Sequence, residues 1–138
     1  MHLAQTQESI FHYNNIQYYT FTILILIQKI LNEILEFIEE HHCVPKQEMH
    51  MESKIEKDLG ITGDDACEIL VAFGKKFHVD VAQFMAADYF NAEGASRIWC
   101  TYNPNLKTLT IGHMVKASIV GRLDESVIND NTILGIYS

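Results

Sequence analysis

The chain has 138 residues, 48% of them hydrophobic, with a formal charge of −8 and a pI of about 5.2. That length fits one domain with a sizeable core, and that composition excludes a disordered chain. The negative balance excludes binding to a phosphate backbone, which needs clustered Lys and Arg, and leaves a basic protein partner or solubility alone.

Residues 1–22 are polar and aromatic, with no cap, and read as an N-terminal extension of the first helix. The apolar run Tyr18–Ile27 is shorter than the roughly 20 residues a membrane span needs. It has no preceding Lys or Arg to make a secretory signal. A membrane-associated segment is the alternative use of that run. From Ile23 the apolar positions turn helical. Ile27, Ile30, Leu31, Ile34, Leu35 and Ile38 form one stripe, with Glu33, Glu36, Glu39 and Glu40 mostly off it. This predicts an amphipathic helix ending near His41, with Pro45 just beyond. Residues 44–57 form a long polar connector, with a turn of helix placed at 51–57.

The second helix is predicted over Gly63–Phe77. Gly60 supplies a turn before it, and Thr62 is expected to cap it by accepting from the Asp65 amide. Asp65 stands in the reciprocal capping position, and Asp64 complements the helix dipole. Ala66, Ile69, Leu70, Phe73 and Phe77 make the buried stripe. A short third helix is expected over Ala82–Tyr89, with Phe84, Met85, Tyr89 and Phe90 inward. Residues 91–107 are irregular, and Trp99 and Tyr102 are expected to cover the core or to form a partner-facing patch. Thr110 then caps a last helix through Met114, Val115, Ile119 and Val120, which Gly121 stops. Residues 124–138 form a C-terminal tail of no assigned shape.

The run Asp58-Leu59-Gly60, a helix opening, then Glu68-Ile69-Leu70-Val71-Ala72-Phe73 and the exit Phe77-His78-Val79-Asp80-Val81 resembles an acyl carrier protein. That family's motif is Asp-Leu-Gly-x-Asp-Ser-Leu, and its serine carries phosphopantetheine. The match places Thr62 where the family has Asp, Gly63 where it has the modified Ser, and Asp64 in place of the following Leu. The chain also resembles a bacterial family of unknown function within the acyl-carrier-like group. The shared blocks are Asp58–Ala66, Tyr89-Phe90 with Glu93, and Leu109–Gly112. The resemblance covers Ile34 to Leu123. It implies an all-α fold, an acyl-carrier-like four-helix bundle with a long first loop, over residues 23–123.

A carrier needs a hydroxyl at a helix N-terminus, where amides and dipole stabilise the phosphate. Gly63 has no oxygen to esterify, so no cofactor is expected. Phosphopantetheine on Thr62 is the alternative, within a functional carrier of an acyl-transfer pathway. The carriers meet their enzymes through an acidic second helix, and Asp64, Asp65 and Glu68 supply such a face here. The expected function is therefore non-catalytic binding of a protein partner with a basic surface. His41, His42, Cys43 and His50 match no zinc spacing, so no metal is expected. Cys67 is expected as a small core residue, and His113 as a surface or capping residue. Cys43, Cys67 and Cys100 form no CxxC pair, which reads as reduced thiols in a cytoplasmic protein. No Ser-His-Asp spacing or Gly-rich phosphate loop supports an enzyme.

Overall fold

The stripe that begins at Ile27 is the spine of the fold. In the computed structural model, which describes residues 2–91 and 104–134, it lies on one continuous helix of 41 residues, α1 (His2–His42). Ile27, Leu31, Ile34, Leu35, Phe37 and Ile38 are buried along it. The expected helical extension of residues 1–22 is thus the first half of α1. Among the described residues three further helices follow: α2 (Gly63–Phe77), α3 (Ile111–Val120) and the single turn α4 (Glu125–Ile128). Among the described residues there is no strand, so the fold is all-α. Two isolated bridges, Lys54 with Thr110 and Asp80 with Arg122, fasten the connectors instead. No helix among the described residues is long and apolar enough to cross a membrane.

Helix α3 is the centre of the body, with Ile111, Gly112, Met114, Val115, Lys116 and Ala117 buried between α1 and α4. Its first amides are satisfied from the connector, as Ile111 N donates to the Ser53 carbonyl at 3.0 Å and Gly112 N to that of Met51 at 2.8 Å. Phe37 of α1 meets Phe73 and Phe77 of α2 with ring centroids 6.4 and 5.7 Å apart, and the Lys76 ammonium lies 5.6 Å from the Phe37 centroid. Asp124 caps α4 by accepting from Val127 N at 3.0 Å. Val127 and Ile128 bury the start of the tail. Trp99, Cys100, Tyr102 and Glu93, and Ile136 and Tyr137 of the tail, lie outside the described residues.

Three expectations about local structure are corrected. The connector's helical turn is a 3₁₀ turn at Lys46–Glu48, not at 51–57. The third helix is only a 3₁₀ turn, Ala86–Asp88. Asp80 Oδ1 accepts from Ala82 N at 2.9 Å, and the following bonds are mostly of the i→i−3 kind, so no α-helical ladder starts. Met85 points outward, 62% exposed, while Tyr89 and Phe90 are buried as expected.

The start of α3 couples stability to pH. Thr110 Oγ1 accepts from His113 N at 3.2 Å, and His113 Nδ1 accepts from Thr110 N at 3.0 Å. This is a reciprocal capping box with histidine in the place usually held by Glu or Gln. Nδ1 can accept only while unprotonated. The histidine's pKa is pushed down to about 4, first by burial and then by the Lys116 charge. The folded chain therefore refuses a proton that the unfolded chain takes up near pH 6.5. This contribution is complete above about pH 6.5 and is lost as pH falls towards 4. The loss is expected to reach about 2 kcal/mol, below the full value of the shift because the ring is partly solvated. His113→Gln keeps an acceptor in the box and removes the titration. Urea midpoints measured from pH 7.5 to 4.5 should fall less steeply for this variant than for the natural chain.

Candidate functional site

Two buried isoleucines set the shape of the segment that delivers α2. Ile55 and Ile61 are each 2% exposed, and Ile61 N closes the segment by donating to the Ile55 carbonyl at 3.2 Å. Between them Glu56 reaches across to Asn91. Its Oε2 accepts from Asn91 N at 3.0 Å and its Oε1 from Asn91 Nδ2 at 3.1 Å. Thr62 Oγ1 stands 3.2 Å from the same Oε2 and 3.0 Å from the Asn91 carbonyl, so its one proton is shared between them. Gly63 N donates to that carbonyl at 3.1 Å. Glu56, Thr62 and Asn91 thus clamp the entrance of α2 to the chain leaving the 3₁₀ turn.

This corrects the expected cap. Thr62 makes no side-chain hydrogen bond to the α2 amides, and the reciprocal bond from Asp65 has no counterpart. Its hydroxyl is turned to Glu56 instead, and a backbone carbonyl from Asn91 serves the first amide. Gly63 has φ 60°, in the left-handed region. A side chain there costs roughly 1–2 kcal/mol, so the entrance favours the residue that lacks one.

Past the clamp, Asp64, Asp65 and Glu68 are all exposed. None forms an ion pair or a side-chain hydrogen bond with another described residue. Asp64 and Glu68 are four apart and share a face, with Asp65 about 100° round. On that same solvent face lie Cys67, Val71, which is 51% exposed, and Lys75. Cys67 is therefore not the core residue expected. Its place in the 3.6-residue period is opposite Ile69, Leu70 and Phe73, and its thiol is free. Lys75 and Lys76 end the helix where its dipole is negative.

A second polar cluster lies in an open cleft of about 490 Å³ lined by Tyr89, Lys107 and Thr108 together with residues of α3 and α4. Glu125 Oε1 accepts from Lys107 Nζ at 2.6 Å and from the Tyr89 hydroxyl at 2.8 Å. These bonds, that from Lys107 first, hold the Glu125 carboxyl below the usual carboxylate range. Burial, with Glu125 as the next cause, pushes the Tyr89 phenol up, so it stays a donor. The Lys107, Tyr89 and Glu125 groups are committed to one another, which ties the residues after the 3₁₀ turn to α4. Elsewhere, His41 Nδ1 lies 2.8 Å from the Phe37 carbonyl and His50 Nδ1 lies 2.7 Å from Ser53 Oγ. Among the described residues, no three His, Cys, Asp or Glu side chains are placed to hold a metal ion.

Of the residues singled out in the sequence, the structure brings Asp64, Asp65 and Glu68 to one exposed end of α2. It separates Thr62 from them by engaging its hydroxyl. Glu56 and Asn91 were missed. They are 35 positions apart, and no local spacing marks them as partners.

A family model described as "Protein of unknown function (DUF1493)" matches residues 23–123. The chain belongs to this DUF1493 family. No acyl carrier family is matched, which overturns the carrier resemblance drawn from Asp58–Val81. The physical departures agree with that correction, since the carrier-serine position holds a left-handed glycine and the third helix is reduced to a 3₁₀ turn. No curated protein and no solved structure matches the chain. The matched region of this DUF1493 member contains α2, α3 and the whole Glu56–Thr62–Asn91 clamp.

Proposed function

We propose that this DUF1493 protein acts without catalysis, by docking a protein partner with a basic surface on the exposed end of α2. The observation that carries this reading is the trio Asp64, Asp65 and Glu68, exposed and unpaired among the described residues, on a chain of net charge −8. Unpaired carboxylates steer a cationic partner, and Val71 beside them offers an apolar contact within a charged rim. The clamp behind them fixes the helix entrance, so the surface is presented without an ordering cost on binding. Cytoplasmic residence goes with this reading, because Cys43 and Cys67 are free, exposed thiols.

The test is a quantitative pull-down with the natural chain and with the triple variant Asp64→Lys/Asp65→Lys/Glu68→Lys. All three side chains are exposed, so the variant should stay folded, with a loss of about 1–2 kcal/mol because Asp64 and Asp65 no longer complement the α2 dipole. Recovery of basic partners is expected to fall at least about tenfold, equivalent to about 1.4 kcal/mol. It should also fall for the natural chain as salt rises. Equal recovery by both proteins would reject the docking face.

A further inference from the structure

The first half of α1 has no counterpart in the body of the fold. Tyr18 is 66% exposed, Phe21 64%, Ile25 54% and Leu26 54%. From Tyr18 to Ile27 the helix is apolar but for Thr20 and Thr22, whose hydroxyls donate back to the Ile16 and Tyr18 carbonyls, a pattern that belongs to a covered helix. On the side opposite the buried stripe, Asn14, Tyr18, Phe21, Ile25, Gln28 and Asn32 follow one another at steps of four, three, four, three and four. That is the a/d seam of a helix that packs against another helix. All six side chains are exposed.

We infer that a second copy of this chain packs along this seam, antiparallel, in a two-fold dimer. The seam is symmetric about Ile23. Antiparallel pairing sets Phe21 of each copy against the partner's Ile25, Tyr18 against the partner's Gln28, and Asn14 against the partner's Asn32. The centre is apolar, and the ends pair amide with amide and phenol with amide, as a self-complementary interface requires. Charge favours the same occupant and direction. No Asp, Glu, Lys or Arg occurs from Ser9 to Gln28, so two copies of an acidic chain meet there without repulsion. Antiparallel pairing sets Lys29 and Glu33 against that uncharged segment, whereas parallel pairing brings each against its own like charge. An anionic lipid surface would call for a basic polar face, which this segment lacks. Tyr18, Phe21 and Ile25 together expose on the order of 400 Å² per chain. With the flanking amides, a pair reaches roughly the 1,000 Å² of a specific interface. Asn14, Tyr18 and Phe21 lie outside the family match and the other three within it.

Sedimentation velocity on the full chain at 1–100 μM tests this. The expected mass is twice the 15.8 kDa of one chain. Phe21→Lys and Ile25→Glu, both at exposed positions, are each expected to keep their helical circular dichroism and to weaken the dimer at least about 100-fold. Mixed together, they should pair again, because Lys at 21 of one copy then faces Glu at 25 of the other. Ile16→Glu, on the other stripe, should leave the dimer intact. A monomer at 100 μM overturns the inference, as does a monomer that floats with neutral phosphatidylcholine vesicles. So does a dimer that survives both seam variants, one that Ile16→Glu alone dissolves, or a mixture of the two seam variants that stays monomeric.

Discussion

Phe73→Ala is expected to cost the fold about 3–5 kcal/mol. The ring is fully buried, with centroids 6.4 Å from Phe37 of α1 and 5.2 Å from Phe77 of its own helix. Its loss removes the transfer energy of an aromatic side chain and leaves a cavity that two helices cannot close. Helix α2 touches the body through few buried residues: Ala66, Ile69, Leu70 and Phe73. Phe73 therefore supplies a large share of that contact, and its loss is felt across the α1–α2 interface. Urea unfolding should show a lower midpoint with an unchanged slope, since the surface exposed on unfolding is almost the same. A cost below about 1.5 kcal/mol would mean that the α1–α2 contact is not packed as described.

Glu56→Ala is expected to cost about 2–4 kcal/mol, more than an ordinary surface carboxylate. The carboxylate accepts from Asn91 N, Asn91 Nδ2 and Thr62 Oγ1 at once. Hydrogen bonds to a charged group contribute about 1.5–3 kcal/mol, and removing the carboxylate takes two of them from the half-buried Asn91. The loss should be local as well as global. The Gly63 amide, bonded to the Asn91 carbonyl, should exchange with solvent faster, while amides in α3 should keep their protection relative to the new global stability. Glu56→Gln, which keeps one acceptor oxygen, should fall between the two. If Glu56→Ala leaves Gly63 exchange unchanged, the clamp does not hold the entrance of α2.

Much of the fold is legible in local spacing. The stripe from Ile27 to Ile38 and the stripe from Ala66 to Phe73 each mark a helix and the face it buries. Both came out as expected because burial of one face at a 3.6-residue period is a property of the segment alone. Thr110 and Gly121 bracket α3 for the same reason, since capping acts over three or four residues. The failures have two causes, one distant and one local. Thr62 has the right residue type for a cap, yet its hydroxyl is claimed by Glu56 and Asn91, which no local pattern joins. Residues 82–89 have helical composition, yet Asp80 binds the Ala82 amide and the chain turns.

The proposed docking surface stands between these cases. Asp64, Asp65 and Glu68 were legible as an acidic helix opening, since dipole complementarity reads from sequence. Their exposure and lack of partners could be seen only after folding.

The sequence by itself determined where the helices run, which stripe of each is apolar, the acid balance of the chain and the absence of a hydroxyl at position 63. Those follow from side-chain chemistry and the period of the helix. Only the tertiary structure decided that Gly63 is left-handed, that Glu56 holds Asn91, and that the apolar first half of α1 stands clear of the body. Each depends on which distant segments come together, and contact across tens of residues leaves no trace in the spacing of neighbours.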